Sequence, residues 1–150
     1  MENNQLNLDD ITIGSLEFNQ LDEFLQLRMV KESDNEELLC EVVLGNSNKT
    51  SLCYAAIQNI NDEEKLYDIA MTHSNILVAR AAIERIHDSK KLKDIYSRYI
   101  EDGARYDWQN RYVAVWNISD EEKDFLRHVK NEDPSYEIFK LARAKLNFES

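Results

Sequence analysis

The chain has 150 residues, with 29 acidic and 18 basic side chains and a net charge of −11. It contains only three glycines and one proline, where average usage would supply roughly 18 of the two together. Sandwiches and barrels need frequent turns of Gly and Pro chemistry, and phosphate-binding loops need clustered glycines, so this shortage excludes both. The composition therefore predicts a helix-rich chain whose length fits one domain.

The cysteines and the N-terminus indicate a reducing compartment. Cys40 and Cys53 lie in apolar runs, and their spacing matches neither a CxxC motif nor a zinc pair, so we expect two buried, reduced thiols. The first residues lack the basic and apolar regions of a signal peptide, and no apolar run is long enough to span a membrane. We therefore expect a cytoplasmic protein that does not enter the membrane.

The first third of the chain shows helical spacing but no repeat. Residues 1–14 are predicted to form a tail, and apolar spacing from Leu16 predicts a helix at about 16–31. Ser33 and Glu36 have the spacing of a capping box, which predicts a second helix at about 34–44 that ends at Gly45 as its C′ residue. We expect residues 15–49 to form a divergent N-terminal cap.

From residue 50 onward the sequence repeats. Residues 55–70 align without gaps to residues 81–96, with nine identities in 16 positions. A weaker copy follows at 113–126, and residues 133–150 are predicted to form a C-terminal capping helix. A repeat of this length predicts one structural unit that stacks on its copies.

Each repeat is predicted to be a pair of short antiparallel helices. Ile57 and Ile60 lie one helical turn apart and share a face, which needs a neighbour to bury it. Four polar residues fall where the second helix of a pair should begin, and we expect them to act as N-caps. They are Asp62, Asp88, Ser119 and Asp120.

The motif VARAAIERIHDSKKLKDI, residues 78–95, resembles HEAT-like repeats of the short bacterial type. The resemblance covers about residues 50–132 and implies an all-α, armadillo-like α–α superhelix of about eight or nine short helices within residues 15–150. Proteins with such repeats are mostly interaction scaffolds, although a few bind nucleic acid or carry an enzymatic activity. The resemblance is therefore informative about architecture and says little about function.

No group of residues points to catalysis, a metal or a cofactor. The three histidines lack zinc-ligand spacing, and nothing near either cysteine would activate a thiolate. A basic stretch between Arg80 and Arg98 could form a phosphate-binding stripe, but carboxylates interrupt it. Pairing within helices is the favoured interpretation, so nucleic-acid binding is disfavoured.

Segment 99–116 interrupts the repeat and is rich in the residue types that dominate protein interfaces. An alternative is that Tyr112 and Trp116 belong to the core and that Trp108 merely begins a helix after a cap at Asp107. The candidate partner-binding residues in this segment are Tyr99, Arg105, Tyr106, Trp108, Arg111 and Tyr112.

The acidity is concentrated in residues 1–50, which carry 11 acidic and three basic side chains. That field repels phosphates and favours a basic protein partner, although solubility alone would also explain it. The candidate acidic contacts are Asp22, Glu23, Glu36 and Glu37.

Together these features predict a non-catalytic protein-binding module. One concrete form is an inhibitor or immunity-type protein for a basic, nucleic-acid-processing partner. The alternatives are a general HEAT-like scaffold or adaptor that uses the aromatic segment, and a DNA-binding or DNA-repair repeat protein, which the net charge disfavours. The sequence leaves the oligomeric state open.

Overall fold

The chain is all-α. The computed structural model describes residues 8–101 and 108–147, and every regular element in these ranges is helical. None of the helices described is both long and apolar enough to cross a membrane. After a 3-10 turn at Leu8–Asp10 come α1 Leu16–Gln20, α2 Glu23–Glu32, α3 Glu36–Leu44, α4 Thr50–Gln58, α5 Glu63–Thr72, α6 Ile76–Ile83, α7 Ser89–Glu101, α8 Trp108–Asn117, α9 Lys123–Glu132 and α10 Tyr136–Lys145.

The ten helices within the described ranges exceed the eight or nine expected, and one reason lies near the N-terminus. The single helix predicted at 16–31 is two helices, because Leu21 is extended and Asp22 begins a new one. Asp22 Oδ1 accepts a hydrogen bond from Leu25 N at 2.9 Å, which is N-cap geometry. The side chain of Gln26, fully buried, donates to Phe18 O at 2.8 Å and so satisfies a carbonyl at the end of α1.

The predicted limits of α3 also need correction. Asn35, not Ser33, is its N-cap, with Oδ1 accepting from Leu38 N at 3.2 Å, and the Ser33 hydroxyl instead accepts from Asn35 N. Gly45 caps the other end with φ −85°, a right-handed conformation rather than that of a C′ glycine. The left-handed glycine of this region is Gly14, at φ +82°.

The chain divides into two compact units. Unit 1 comprises residues 1–62, and in it α2 and α3 both pack against α4. The apolar side chains at its centre are fully buried, and burial of each contributes roughly 1.5–3 kcal/mol. They include Phe18, Val30, Leu39, Leu52 and Ile57.

Unit 2 comprises residues 63–150, and its helices pair in sequence order. The pairs are α5 with α6, α7 with α8, and α9 with α10, while α8 also packs against both α6 and α10 and α5 packs against α7. Fully buried apolar residues fill the space between the helices. They include Ile69, Ile83, Leu92, Val115 and Leu126.

Two asparagines at equivalent positions of the sequence repeat make the same contact in the two units. Asn59 follows α4 and Asn117 ends α8, and each side-chain amide donates to three carbonyls at the C-terminal end of another helix of its own unit. The acceptors at 2.9–3.3 Å are those of Val30, Lys31 and Ser33 for Asn59, and of Ile83, Glu84 and Ile86 for Asn117. Carbonyls at a helix end need such donors.

A second contact, between a glutamate at the start of a helix and the backbone of a later loop, also occurs in each unit. Glu36, the first residue of α3, accepts hydrogen bonds from the backbone N–H groups of Asn61 and Asp62. Glu63, the first residue of α5, accepts from those of His87, at 2.6 Å, and Asp88, at 3.2 Å. A carboxylate at the first position of a helix thus holds the loop that lies about one repeat further along the chain.

The predicted helix caps have different outcomes. Asp62 directly precedes α5, and Asp88 Oδ1 accepts from Lys91 N at 2.9 Å in the geometry of an N-cap for α7. The prediction for Ser119 and Asp120 is wrong, because α9 begins only at Lys123. The third repeat copy has an extra residue before its second helix, and a turn over residues 119–122 accommodates this residue. Within the turn, Ser119 Oγ accepts a hydrogen bond from Glu121 N.

The two cysteines differ in exposure. Cys53 is buried as predicted, and its thiol donates to Asn46 O at 2.9 Å, whereas Cys40 is only half-buried. Burial raises the pKa of the Cys53 thiol to about 11. A thiol with so high a pKa carries almost no thiolate near neutral pH and is therefore a poor nucleophile.

Candidate functional site

Three aromatic side chains form a row along α8. Trp108, Tyr112 and Trp116 are spaced by four residues, which places them on one side of a helix. The Trp108 and Tyr112 rings meet edge to face with centroids 6.0 Å apart, and the Tyr112 and Trp116 rings are stacked with centroids 6.2 Å apart. We call these three residues the aromatic row.

The aromatic row is accessible to solvent, and no charged side chain of α8 lies next to it. Trp116 is 61% exposed, and Trp108 and Tyr112 are half-buried. Arg111 is the one charged residue of α8, and it is buried. The predicted alternative that Trp116 belongs to the core is therefore wrong. An exposed tryptophan next to two further rings is a surface suited to contact with another molecule.

Helix α10, which packs against α8, adds aromatic surface. Tyr136 is 68% exposed, and its ring stacks on that of Phe139. Lys140 Nζ lies 4.9 Å from the centroid of the Tyr136 ring and 2.8 Å from a carboxylate oxygen of Glu137. The hydrogen bond to Glu137 raises the pKa of Lys140. A cation, an aromatic ring and a carboxylate thus already occur together on this face.

A buried ion pair between Arg111 and Asp133 anchors the interior side of α8. The prediction that Arg111 contacts a partner is wrong, because its side chain is fully buried against Asp133. Its Nε lies 2.9 Å from Asp133 Oδ2 and its Nη2 lies 3.1 Å from Oδ1. Asp133 also accepts from the Tyr96 hydroxyl at 3.0 Å and from Ser135 N at 2.8 Å. Burial, and then the Asp133 charge, raise the pKa of Tyr96.

This network fixes the orientation of the aromatic row. Tyr96 belongs to α7, Arg111 to α8, and Asp133 to the connection between α9 and α10. A guanidinium and a carboxylate that make two hydrogen bonds to each other tolerate little displacement. The side of α8 that carries Arg111 therefore faces the interior, and the aromatic row faces outward.

The other aromatic candidates are not part of this surface. Tyr99 is half-buried, and its hydroxyl donates to Ala70 O at 3.1 Å, so it takes part in the packing of α7 against α5. Arg105 and Tyr106, and the expected cap Asp107, lie outside the residues that the structure describes.

Two lysines of the basic stretch pair with carboxylates outside their own helix. Lys91 Nζ lies 2.6 Å from Glu64 of α5, and Lys93 Nζ lies 2.5 Å from Glu122, next to α9. These contacts raise the pKa of Lys91 and lower that of Glu122. The prediction of pairing within a helix is wrong for these two lysines, because they hold neighbouring helices together.

The acidic candidates lie in unit 1, whose 62 residues carry 12 acidic and three basic side chains. Two of them make contacts within the unit, since Asp22 caps α2 and Glu36 holds the loop at Asn61. Glu23 and Glu37 are exposed in the first turns of α2 and α3. Unit 1 therefore presents a negative surface built partly from residues with structural contacts.

Unit 1 also has a polar pocket of about 330 Å³ next to Gly14. Two of its polar side chains already make hydrogen bonds within the chain. Lys49 donates to Gln26 at 3.1 Å and Asn46 donates to Val42 O at 2.7 Å. No cluster of three or more potential metal ligands occurs in residues 8–101 and 108–147.

Searches with protein-family models and against curated proteins and solved structures found no match to this chain.

Sequence reasoning does not find Asp133, because the buried arginine that it binds lies 22 residues away and no local motif joins them. It leaves the exposed position of Trp116 as one of two alternatives, although the spacing of Trp108, Tyr112 and Trp116 is a usable signal. Three large rings on one side of a helix whose other side carries Ala114 and Val115 point away from the core.

Proposed function

We propose that this chain is a non-catalytic protein-binding module whose helices stack as HEAT-like repeats in an α–α superhelix. The contacts of Asn59 and Asn117 support the repeat, since they recur at equivalent sequence positions. The succession of α6, α8 and α10, each packed on the next, supports the stacking within unit 2.

The observation that carries the binding role is the exposure of large aromatic side chains on two adjacent helices. Trp116 and Tyr136 are 61% and 68% exposed. Tryptophan and tyrosine are among the residues that contribute most to binding at interfaces, and exposing them in water has no benefit for folding. We therefore propose that a partner protein covers the aromatic row and Tyr136.

The double variant Trp108→Ala/Trp116→Ala is expected to bind its partner at least about tenfold more weakly, since truncated interface hot spots cost 1–2 kcal/mol or more each. Capture from the native lysate on the immobilised protein, followed by mass spectrometry, would identify the partner, and titration would give both affinities. Phe24→Ala is the matched control, because Phe24 is 74% exposed but belongs to α2 of unit 1. Equal affinities for the wild type and the double variant would contradict the proposal.

A second observation favours a basic partner. Unit 1 has a net charge of −9 and unit 2 of −2, so the field is strongest around unit 1. An inhibitor or immunity-type protein for a basic, nucleic-acid-processing partner would use this field to speed association. A general scaffold or adaptor would bind its partner through the aromatic row and would not need the negative field of unit 1. A DNA-binding role is disfavoured, because the negative charge repels phosphates.

The association rate with the captured partner distinguishes these alternatives. If the charge of unit 1 steers a basic partner, the rate should fall by an order of magnitude or more between low and high salt, with a smaller change in dissociation. Stopped-flow mixing at a series of salt concentrations measures both rates. An association rate that does not change with salt would exclude the inhibitor hypothesis and leave the adaptor.

A further inference from the structure

The three helices that carry or flank the aromatic row are basic, although the chain as a whole is acidic. Helices α6, α8 and α10 contain five of the chain's 18 basic side chains and one of its 29 acidic ones, a net charge of +4. Carboxylates outside these helices neutralise two of the bases, since Arg111 pairs with Asp133 and Lys145 with Asp120. The three helices therefore stay net positive after these two pairs have formed.

On the α6 side of α8, a buried asparagine positions an arginine. Arg80 Nε donates to Asn110 Oδ1 at 2.8 Å, and the amide of Asn110, which is fully buried, donates to Ile76 O at 3.3 Å. Arg80 is half-buried and makes no ion pair with any residue in the ranges that the structure describes. A guanidinium held through Nε still presents its two Nη groups, which suit a carboxylate.

On the α10 side of α8, Lys140 lies beside the aromatic row. Its hydrogen bond to Glu137 raises the pKa of Lys140 most, and the phenol of Tyr112 acts in the same direction. About one turn further along both helices, Lys145 Nζ donates to Trp116 O at 3.1 Å, so α8 and α10 run side by side in this register. An ammonium group has three N–H donors, so Lys140 can bind a second carboxylate besides that of Glu137.

The two cations lie nearly opposite each other across α8. Their neighbours on this helix, Asn110 and Tyr112, are two residues apart, which is about 200° around the helix axis and roughly 3 Å along it. Axes of packed helices are about 8–10 Å apart, so those of α6 and α10, on either side of α8, are separated by roughly 16–20 Å. The aromatic row, on the outward side of α8, lies between the two cations.

We infer that the surface of α6, α8 and α10 binds an acidic segment of the partner protein, with one carboxylate on Arg80, another on Lys140, and apolar side chains on the aromatic row between them. Cations on both sides of an aromatic surface are complementary in charge to such a segment. The inference rests on the proposed function in one respect, namely that a partner protein supplies the segment. The rest of that partner can still be basic and be attracted to unit 1.

The distance across α8 indicates the spacing of the two acidic residues. An extended segment rises about 3.3 Å per residue and directs every second side chain to the same face. Acidic residues six positions apart therefore span roughly 20 Å on one face, with apolar residues at the second and fourth positions between them.

Tryptophan fluorescence reports on this surface, because both tryptophans of the chain, Trp108 and Trp116, lie in the aromatic row. Titration with the peptide acetyl-Glu-Ser-Leu-Ser-Leu-Ser-Glu-amide should change the fluorescence to saturation. The same peptide with glutamine at both ends should bind about two- to tenfold more weakly, and the one with lysine more weakly still. Attraction by the net charge of −11 alone predicts the opposite order, so the order of the three affinities tests the site.

Single substitutions separate the two cations from the other positive charges of unit 2. Lys140→Gln should weaken binding of the glutamate peptide about two- to fivefold, and Arg80→Gln at least as much. Lys90→Gln, which removes an exposed cation of α7, should leave the affinity unchanged. Lys140 and Lys90 are both exposed, so neither change should disturb folding.

Equal losses for Lys140→Gln and Lys90→Gln, tightest binding of the lysine peptide, or no binding of the glutamate peptide would overturn the inference. Tighter binding of an oligothymidylate than of the glutamate peptide would also overturn it, since rings and cations fit a single-stranded nucleic acid as well. Loss of partner capture by the variant Trp108→Ala/Trp116→Ala would still uphold the proposed function in any of these cases.

Discussion

Asp133→Asn is expected to lower the free energy of unfolding by about 3–5 kcal/mol, the range found when one partner of a buried ion pair is removed. The side chains of Asp133 and Arg111 are both fully buried, and Asp133 accepts four hydrogen bonds. Asparagine keeps the size but removes the charge, so the buried guanidinium loses its counter-ion. Urea denaturation followed by circular dichroism measures the loss.

The matched control is Asp124→Asn, because Asp124 pairs with Arg127 at 3.0 Å on the surface and is fully exposed. That change should alter stability by no more than about 0.5 kcal/mol. The double variant Arg111→Met/Asp133→Leu should be less destabilised than Asp133→Asn, since it leaves no buried charge. A loss below 1 kcal/mol for Asp133→Asn would mean that the pair does not hold α8 in place.

Asn117→Ala is expected to lower the free energy of unfolding by about 1–3 kcal/mol, because its amide supplies two N–H groups and each hydrogen bond contributes roughly 0.5–1.5 kcal/mol. Its amide is the donor for three carbonyls at the end of α6. Asn59→Ala removes the equivalent contact in unit 1 and should cost a similar amount.

Asn131→Ala serves as the control for both variants. Asn131 lies in α9 and is exposed, so its substitution should change stability by no more than about 0.5 kcal/mol. Denaturant unfolding of all three variants gives the comparison. If Asn117→Ala and Asn59→Ala were no more destabilising than Asn131→Ala, the shared contact would have no structural importance in either unit.

The all-α class could be predicted from the sequence because it depends on composition and apolar spacing, and both are local. Details that depend on packing could not. Asp22 interrupts an apolar pattern that continues on both sides of it, so spacing alone predicted one helix where Leu21 and Asp22 separate two. Ser119 and Asp120 had cap chemistry, but the extra residue in the third copy moved the start of α9 to Lys123.

The candidate site shows the same limit. Composition drew attention to the aromatic segment, but residue type does not reveal which side chains face inward. The prediction that Arg111 contacts a partner is wrong, because the burial of Arg111 depends on Asp133, which is distant in sequence. An arginine with a buried carboxylate partner belongs to the core, and neither residue alone indicates that pairing.

The most direct test of the binding role is hydroxyl-radical footprinting of the protein alone and in complex with its captured partner. Side-chain oxidation of Trp116 and Tyr136 should be high in the free protein, because both are more than half exposed, and should fall several-fold in the complex. Phe24, 74% exposed in unit 1, is the internal reference and should be oxidised equally in both states. Unchanged oxidation of Trp116 and Tyr136 in the complex would contradict the proposal that the partner covers the aromatic row.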